Sequence, residues 1–216
     1  MKFACLLPVL LLVAFQNGLA KKTWEKEPQS WSEKDCTRIL EKSPWCKEVY
    51  KPSGMGSNTH YLLKVQCLSP VLLCAEAREE QLAKGENPDY LKDQFESKMK
   101  DEALEDGEFL VFRVYPLKGD GMRGQNLHPL YSGDPFFEQL KDNIVLINGG
   151  DKDDILRPVE FKPINNSIDE GFKVYFDKKS FAASQLNTLI LFIDSKAGEF
   201  KAKFDTNSWE PSEIKL

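Results

Sequence analysis

The sequence predicts an α+β fold, with N-terminal helices and a hairpin followed by a C-terminal antiparallel sheet. Three observations lead there. Helix entries at Ser32, Ser69-Pro70 and Asn87-Pro88 all fall in the first half of the chain. Two strand-like runs, Cys46 to Tyr50 and His60 to Cys67, flank a loop from Lys51 to Thr59 that holds Pro52, Gly54 and Gly56. From Val159 onward the chain alternates short apolar runs with turn chemistry.

The elements follow in order. Residues 1–20 have the anatomy of a cleaved secretory signal: a positive start at Met1-Lys2, an apolar run from Cys5 to Phe15, and small residues at Gly18 and Ala20, with the cut after Ala20. At about 1.5 Å per residue that run spans roughly half a bilayer core, which makes an uncleaved membrane helix the weaker reading. Residues 21–30 read as a loose polar leader broken by Pro28 and anchored by Trp24. Residues 31–216 read as a single domain, with 31–133 and 134–216 as possible lobes.

Within that domain, Ser32 and Asp35 form an approximate capping box ahead of Cys36, Ile39 and Leu40, and Ser43-Pro44 ends the helix. Ser69 caps a helix that Gly85 closes, with Val71, Cys74 and Leu82 on its apolar stripe. Asn87 caps another, with Leu91, Phe95 and Met99 recurring every fourth residue before Gly107. Phe109 to Tyr115 is apolar on both faces apart from Arg113, as a covered strand requires. Gly119 to Gly133 reads as a loop, Phe136 to Lys141 as a short helix, and Ile144 to Ile147 as a strand. Asn148 to Asp154 reads as an acidic turn, followed by strands at Val159 to Lys162, Phe172 to Phe176, Thr188 to Ile193 and Phe200 to Phe204.

Composition narrows the function. Without Lys2 the mature chain carries 28 basic and 34 acidic side chains, a formal charge of -6. A negative surface disfavours nucleic acid and anionic lipid as partners. Cys36, Cys46, Cys67 and Cys74 are spaced C-x9-C-x20-C-x6-C, without the close pairs of structural zinc sites, so two disulfides are expected, with free buried thiols as the alternative. If the hairpin turns between Gly56 and Ser57, facing residues have numbers summing to 113, which pairs Cys46 with Cys67 and leaves Cys36 for Cys74.

No motif for catalysis, cofactor or metal stands out. Only His60 and His128 offer imidazoles, and no serine sits in a GxSxG elbow. Residues Gly119 to Gly124 match GxGxxG but lead into Gln125 to Pro129 rather than a helix, so the dinucleotide reading fails its context. Asp151, Asp153 and Asp154 lack the spaced ligands of a calcium loop and read as a solvated turn. Glu76, Glu79 and Glu80 read as the wet face of a helix. Asn165-Asn166-Ser167 is a glycosylation acceptor in form, for which a polar turn is a sufficient account. The four tryptophans, Trp24, Trp31, Trp45 and Trp209, all flank expected elements; two or three of them read as core lids, with carbohydrate stacking as the alternative.

The stretches Trp31-Ser32-Glu33-Lys34-Asp35 and Ser43-Pro44-Trp45 resemble the start of an uncharacterised family of exported acidobacterial-type proteins, with weaker likeness at Ser69-Pro70-Val71 and Lys203-Phe204-Asp205. Where that family carries an Arg after the Pro-Val pair, this chain has Leu72 and Leu73. The resemblance implies a secreted or periplasmic location and no chemistry. The expectation is therefore a non-enzymatic exported protein, serving as an envelope interaction or ligand-binding module for an unknown protein or small molecule. It needs no cofactor, and it has no stable membrane insertion once the signal is cut. A secreted hydrolase with a dispersed acidic site, at Asp151 to Asp154, is the alternative.

Overall fold

The first two α-helices each begin where a serine side chain takes up an orphan backbone N–H group. In α1 (Glu33–Lys42) the capping box is complete: Ser32 Oγ accepts from the Asp35 N–H at 3.2 Å, and the Asp35 carboxylate accepts from the Ser32 N–H at 3.2 Å. In α2 (Pro70–Lys84), Ser69 Oγ accepts from the Leu72 N–H at 3.3 Å, and Gly85, at φ +66°, closes the helix with the Glu86 N–H donating to the Gln81 carbonyl at 3.1 Å. Asn87 caps a 3-10 turn, Pro88–Tyr90, that runs into α3 (Leu91–Asp101). Helix α3 stops well before Gly107. Ala103 takes the left-handed conformation, φ +54°, and the Leu104 N–H donates back to the Met99 carbonyl at 3.0 Å.

The computed structural model describes residues 22–52, 60–104, 107–117, 142–149, 154–164, 167–180, 188–195 and 198–209. The signal, the Gly119 to Gly133 loop and the Phe136 to Lys141 helix lie outside the described residues. Nine strands are described: β1 (Cys46–Pro52), β2 (His60–Cys67), β3 (Phe109–Leu117), β4 (Ile144–Asn148), β5 (Ile155–Leu156), β6 (Glu160–Ile164), β7 (Ser167–Asp177), β8 (Thr188–Ser195) and β9 (Gly198–Asp205). They form two antiparallel sheets, ordered β1-β2-β3-β7-β6 and β5-β4-β8-β9. Because β3 pairs with β7, strands from either side of residue 133 share one sheet.

Period-two alternation sorts the five-stranded sheet into two buried faces. One carries Leu63, Val65, Cys67, Leu110, Phe112, Val114, Phe172, Val174 and Phe176 against Ile144, Leu146, Leu189, Leu191, Ile193, Phe200 and Phe204 of the second sheet. Phe112 is central there, with its ring centroid 5.5 Å from Phe204 and 5.8 Å from Phe176. The opposite face meets the helices: α1 and α2 cover Cys46, and Leu73 of α2 with Phe95 and Met99 of α3 covers Val111 and Tyr175. The order of layers is helices, large sheet, small sheet. The edge strand β6 carries Pro163 and a register irregularity, both of which discourage pairing with another chain.

Two expectations change. The hairpin register pairs Cys46 with Gln66, so facing numbers sum to 112 rather than 113. A shift of one residue turns every following side chain to the other face. Residues 22–30 are also docked rather than loose: Thr23 and Pro28 are buried, and Trp24 meets Trp45 edge-on at 5.9 Å.

Candidate functional site

The helix-facing side of the large sheet carries a polar row across its strands. The register aligns Cys46, Gln66, Arg113, Lys173 and Lys162. A cation at the centre of a buried sheet must be paired, because desolvating it alone would cost several kcal/mol. Two glutamates supply the charge. Glu76 projects from α2, and Glu102 is delivered by the left-handed turn that ends α3.

The Arg113 guanidinium donates through Nη1 to Glu76 and through Nη2 to Glu102 Oε1 at 2.7 Å. Lys173 Nζ donates to the same Glu102 Oε1 at 2.8 Å. Glu102 and Arg113 are 7% and 8% exposed, so little solvent screening weakens these contacts. Burial alone would raise the Glu102 pKa, but Arg113 and Lys173 overcome it and hold the carboxyl below its ordinary value. Burial likewise disfavours the Arg113 cation, and the neighbouring Glu76 reverses that effect.

The two cations and two carboxylates balance in charge but not in hydrogen bonds. Glu102 Oε2 and Arg113 Nε are buried and have no hydrogen-bond partner. Both atoms sit at the interface of sheet and helices, inside a field of four fixed charges, and Tyr115 is hydrogen-bonded to the same Arg113 side chain. Half-buried Tyr115 and Lys64, which face each other across β3 and β2, continue the same sheet face next to Arg113. Tyr115 lies beside Gly171, whose φ of +127° brings the site of a Cβ to 3.0 Å from the ring and 2.6 Å from the Val114 carbonyl oxygen. Only glycine lets β7 pass so close to β3 there. The arrangement leaves one donor and one acceptor without a bond, both closed off from solvent. An ionised Glu102 does not serve as a general acid at neutral pH.

Glu76 corrects the expectation of a wholly solvated acidic face. It points inward to Arg113, whereas Glu80 is exposed and accepts from Lys98 Nζ at 2.7 Å. The sequence held the signal for this cluster in Arg113, the one polar residue between Phe109 and Tyr115.

Among the described residues the cysteines are Cys36, Cys46, Cys67 and Cys74, all of them free of disulfides and buried. Cys46 lies among the helices and Cys67 between the sheets, on opposite faces of the large sheet, so the expected Cys46 to Cys67 bond does not fit this register. Cys46 instead closes the end of α1. Its Sγ donates to the Leu40 carbonyl at 3.1 Å, and Gln66 Nε2 donates to the same carbonyl at 2.9 Å. Cys36 and Cys74 share the apolar cluster between α1 and α2. Burial, reinforced by Glu79, raises the Cys36 thiol to about 11, and burial with Cys36 beside it raises Cys74 to about 12. None of these values yields a thiolate nucleophile at neutral pH.

Asp154 is a turn residue: its carbonyl accepts from the Asn148 N–H at 3.0 Å and its carboxylate from Asn148 Nδ2 at 3.1 Å. Asp151, Asp153, His128 and the glycine motif lie outside the described residues, as do Asn165 and Asn166 and the side chain of His60. Among the described residues, no group of three His, Cys, Asp or Glu could hold a metal ion. No helix described is long and apolar enough to cross a membrane.

A second buried cation explains the docked leader. Arg78 Nε donates to the Trp31 carbonyl at 3.2 Å, Nη2 to the Gln29 carbonyl at 2.9 Å and Nη1 to Gln81 Oε1 at 2.6 Å. Trp31 and Trp45 are buried, and Trp24 and Trp209 are partly buried against the core. The two specific stretches thereby acquire structural roles, since WSEKD supplies a core plug and a capping box, and SPW a helix stop and a second plug. Comparison of the chain with protein-family models, characterised proteins and solved structures gives no match in any of the three.

Proposed function

We propose that the chain is an exported, non-enzymatic binding module that receives a small polar molecule, or a polar side chain of a partner, at the interface between the large sheet and α2 and α3. The observation that carries this reading is the buried Arg113, Glu102, Lys173 and Glu76 cluster, which leaves Glu102 Oε2 and Arg113 Nε free to bond. A ligand that carries both a donor and an acceptor, such as an amide or hydroxy acid, supplies the two groups that these atoms lack. A solely structural network gains most from full satisfaction, because a partly satisfied one destabilises the core.

Export to the periplasm or exterior rests on the signal-like residues 1–20, and the acidobacterial-type kinship rests on the WSEKD and SPW stretches. The acidic balance argues against nucleic acid. The test is a thermal-shift screen of small amides, hydroxy acids, amino acids and sugars against the wild type and Tyr115→Phe, Lys64→Gln and Lys173→Met variants. At least one class should raise the melting temperature by mass action, with the gain reduced in the Lys173→Met variant. The absence of any shift at millimolar concentration, or equal shifts in all variants, contradicts the site.

A further inference from the structure

Two long-range hydrogen bonds fix how α1 lies on α2. Near the start of α1, the Trp31 carbonyl accepts from Arg78, which stands one turn beyond Cys74 in α2. At the end of α1, the Leu40 carbonyl accepts from Gln66, which lies just before α2 begins. The helices therefore run antiparallel, with residue 31 level with 78 and residue 40 with the approach to 70. Cys36, one turn into α1, falls level with Cys74 between those anchors. Both side chains are 0% exposed and belong to one cluster with Trp31, Ile39, Val71 and Ala75.

We infer that Cys36 and Cys74 are a redox-active pair that closes into a single interhelical disulfide when the chain folds in an oxidising compartment, while Cys46 and Cys67 stay thiols. The compartment comes from the export reading above, whereas the choice of pair comes from the helix register alone. Cys46 is engaged at the end of α1, and Cys67 faces the other sheet, so neither competes. The oxidant is a disulfide, either of glutathione or of an exchange catalyst. The thiolate of one cysteine attacks it, forming a mixed disulfide and releasing one thiol; the second cysteine then attacks the first sulfur and releases the other. Two S–H bonds are lost, one S–S bond forms, and two electrons and two protons pass to the oxidant. The complete burial of both sulfurs places the exchange during folding, before α1 and α2 close over them.

The experiment refolds the full chain from denaturant in a glutathione redox couple, alkylates it under denaturing conditions, and maps the peptides without reduction. Trypsin leaves Cys67 and Cys74 on one peptide, Val65 to Arg78, so fragmentation must assign the sulfur bonded to the Asp35 to Arg38 peptide. The expected result is a Cys36 to Cys74 cross-link with Cys5, Cys46 and Cys67 alkylated, and a melting temperature that falls when dithiothreitol is added. Alkylation of all five cysteines across the redox series, or a bond joining Cys36 or Cys74 to any other cysteine, overturns the inference. The readout needs no secretion, so it stands apart from the test of export, which reads the N-terminus of host protein.

Discussion

Replacing Arg113 with Met keeps an unbranched apolar stem and removes the charge that holds two carboxylates at the sheet. Breaking a buried ion pair by removing one partner typically costs about 3–5 kcal/mol, because the other charge is left desolvated. Here Lys173 still donates to Glu102, and the Glu76 side chain, 19% exposed, can rotate toward water. The loss at pH 7 should therefore sit at the low end, about 3 kcal/mol. The effect depends on pH. Glu102 titrates below its ordinary 4.5 when folded, so its contribution is present above that value and is lost as pH falls through the lower folded pKa. In the variant Lys173 alone opposes burial and the carboxyl protonates more readily, so the difference from wild type should shrink below about pH 4. Urea unfolding followed by the fluorescence of buried Trp31 and Trp45 gives both numbers. An Arg113→Met/Glu102→Leu pair should recover part of the loss. A single-variant loss under about 1 kcal/mol at pH 7, or an equal loss at both pH values, would refute this account of the cluster.

Other substitutions test the elements that position it. Ser32→Ala removes the hydroxyl that accepts from the Asp35 N–H, leaves the backbone half of the capping box in place, and should lower stability by about 1 kcal/mol in urea titration. Ala103→Gly relieves the left-handed residue that ends α3 and should raise the denaturation midpoint, by roughly 0.5–1 kcal/mol, leaving Glu102 in place. Gly171→Ala puts a methyl 2.6 Å from the Val114 carbonyl, so the soluble yield or the melting temperature should fall markedly, with a loss of at least about 2 kcal/mol.

Much of the fold could be read from the chain, because its helix boundaries are written in local chemistry. Ser32 with Asp35, Ser69 with Pro70, and Gly85 each act within one turn, and each does so in the structure. The end of α3 could not be read this way, since Ala103 adopts a conformation that its sequence does not advertise and Gly107 drew the boundary too far. The hairpin strands were legible, but their register was not. Choosing between sums of 112 and 113 depends on Cys67 finding the other sheet and Gln66 finding the end of α1, which are long-range contacts. Strand β5, two residues long, is too short to carry a period. Arg113 was visible as an exception in an apolar strand, whereas its partners Glu76 and Glu102 lie 37 and 11 residues away and look like ordinary helix-surface acids until the helices are docked.

The most direct test of the central claim is native mass spectrometry of the protein taken from the extracytoplasmic fraction of its own host. The account predicts a chain that begins near Lys21 and carries a small polar molecule, which is lost when Lys173 is changed to Met. An intact Met1 on cytosolic protein, bare in every charge state, would contradict it.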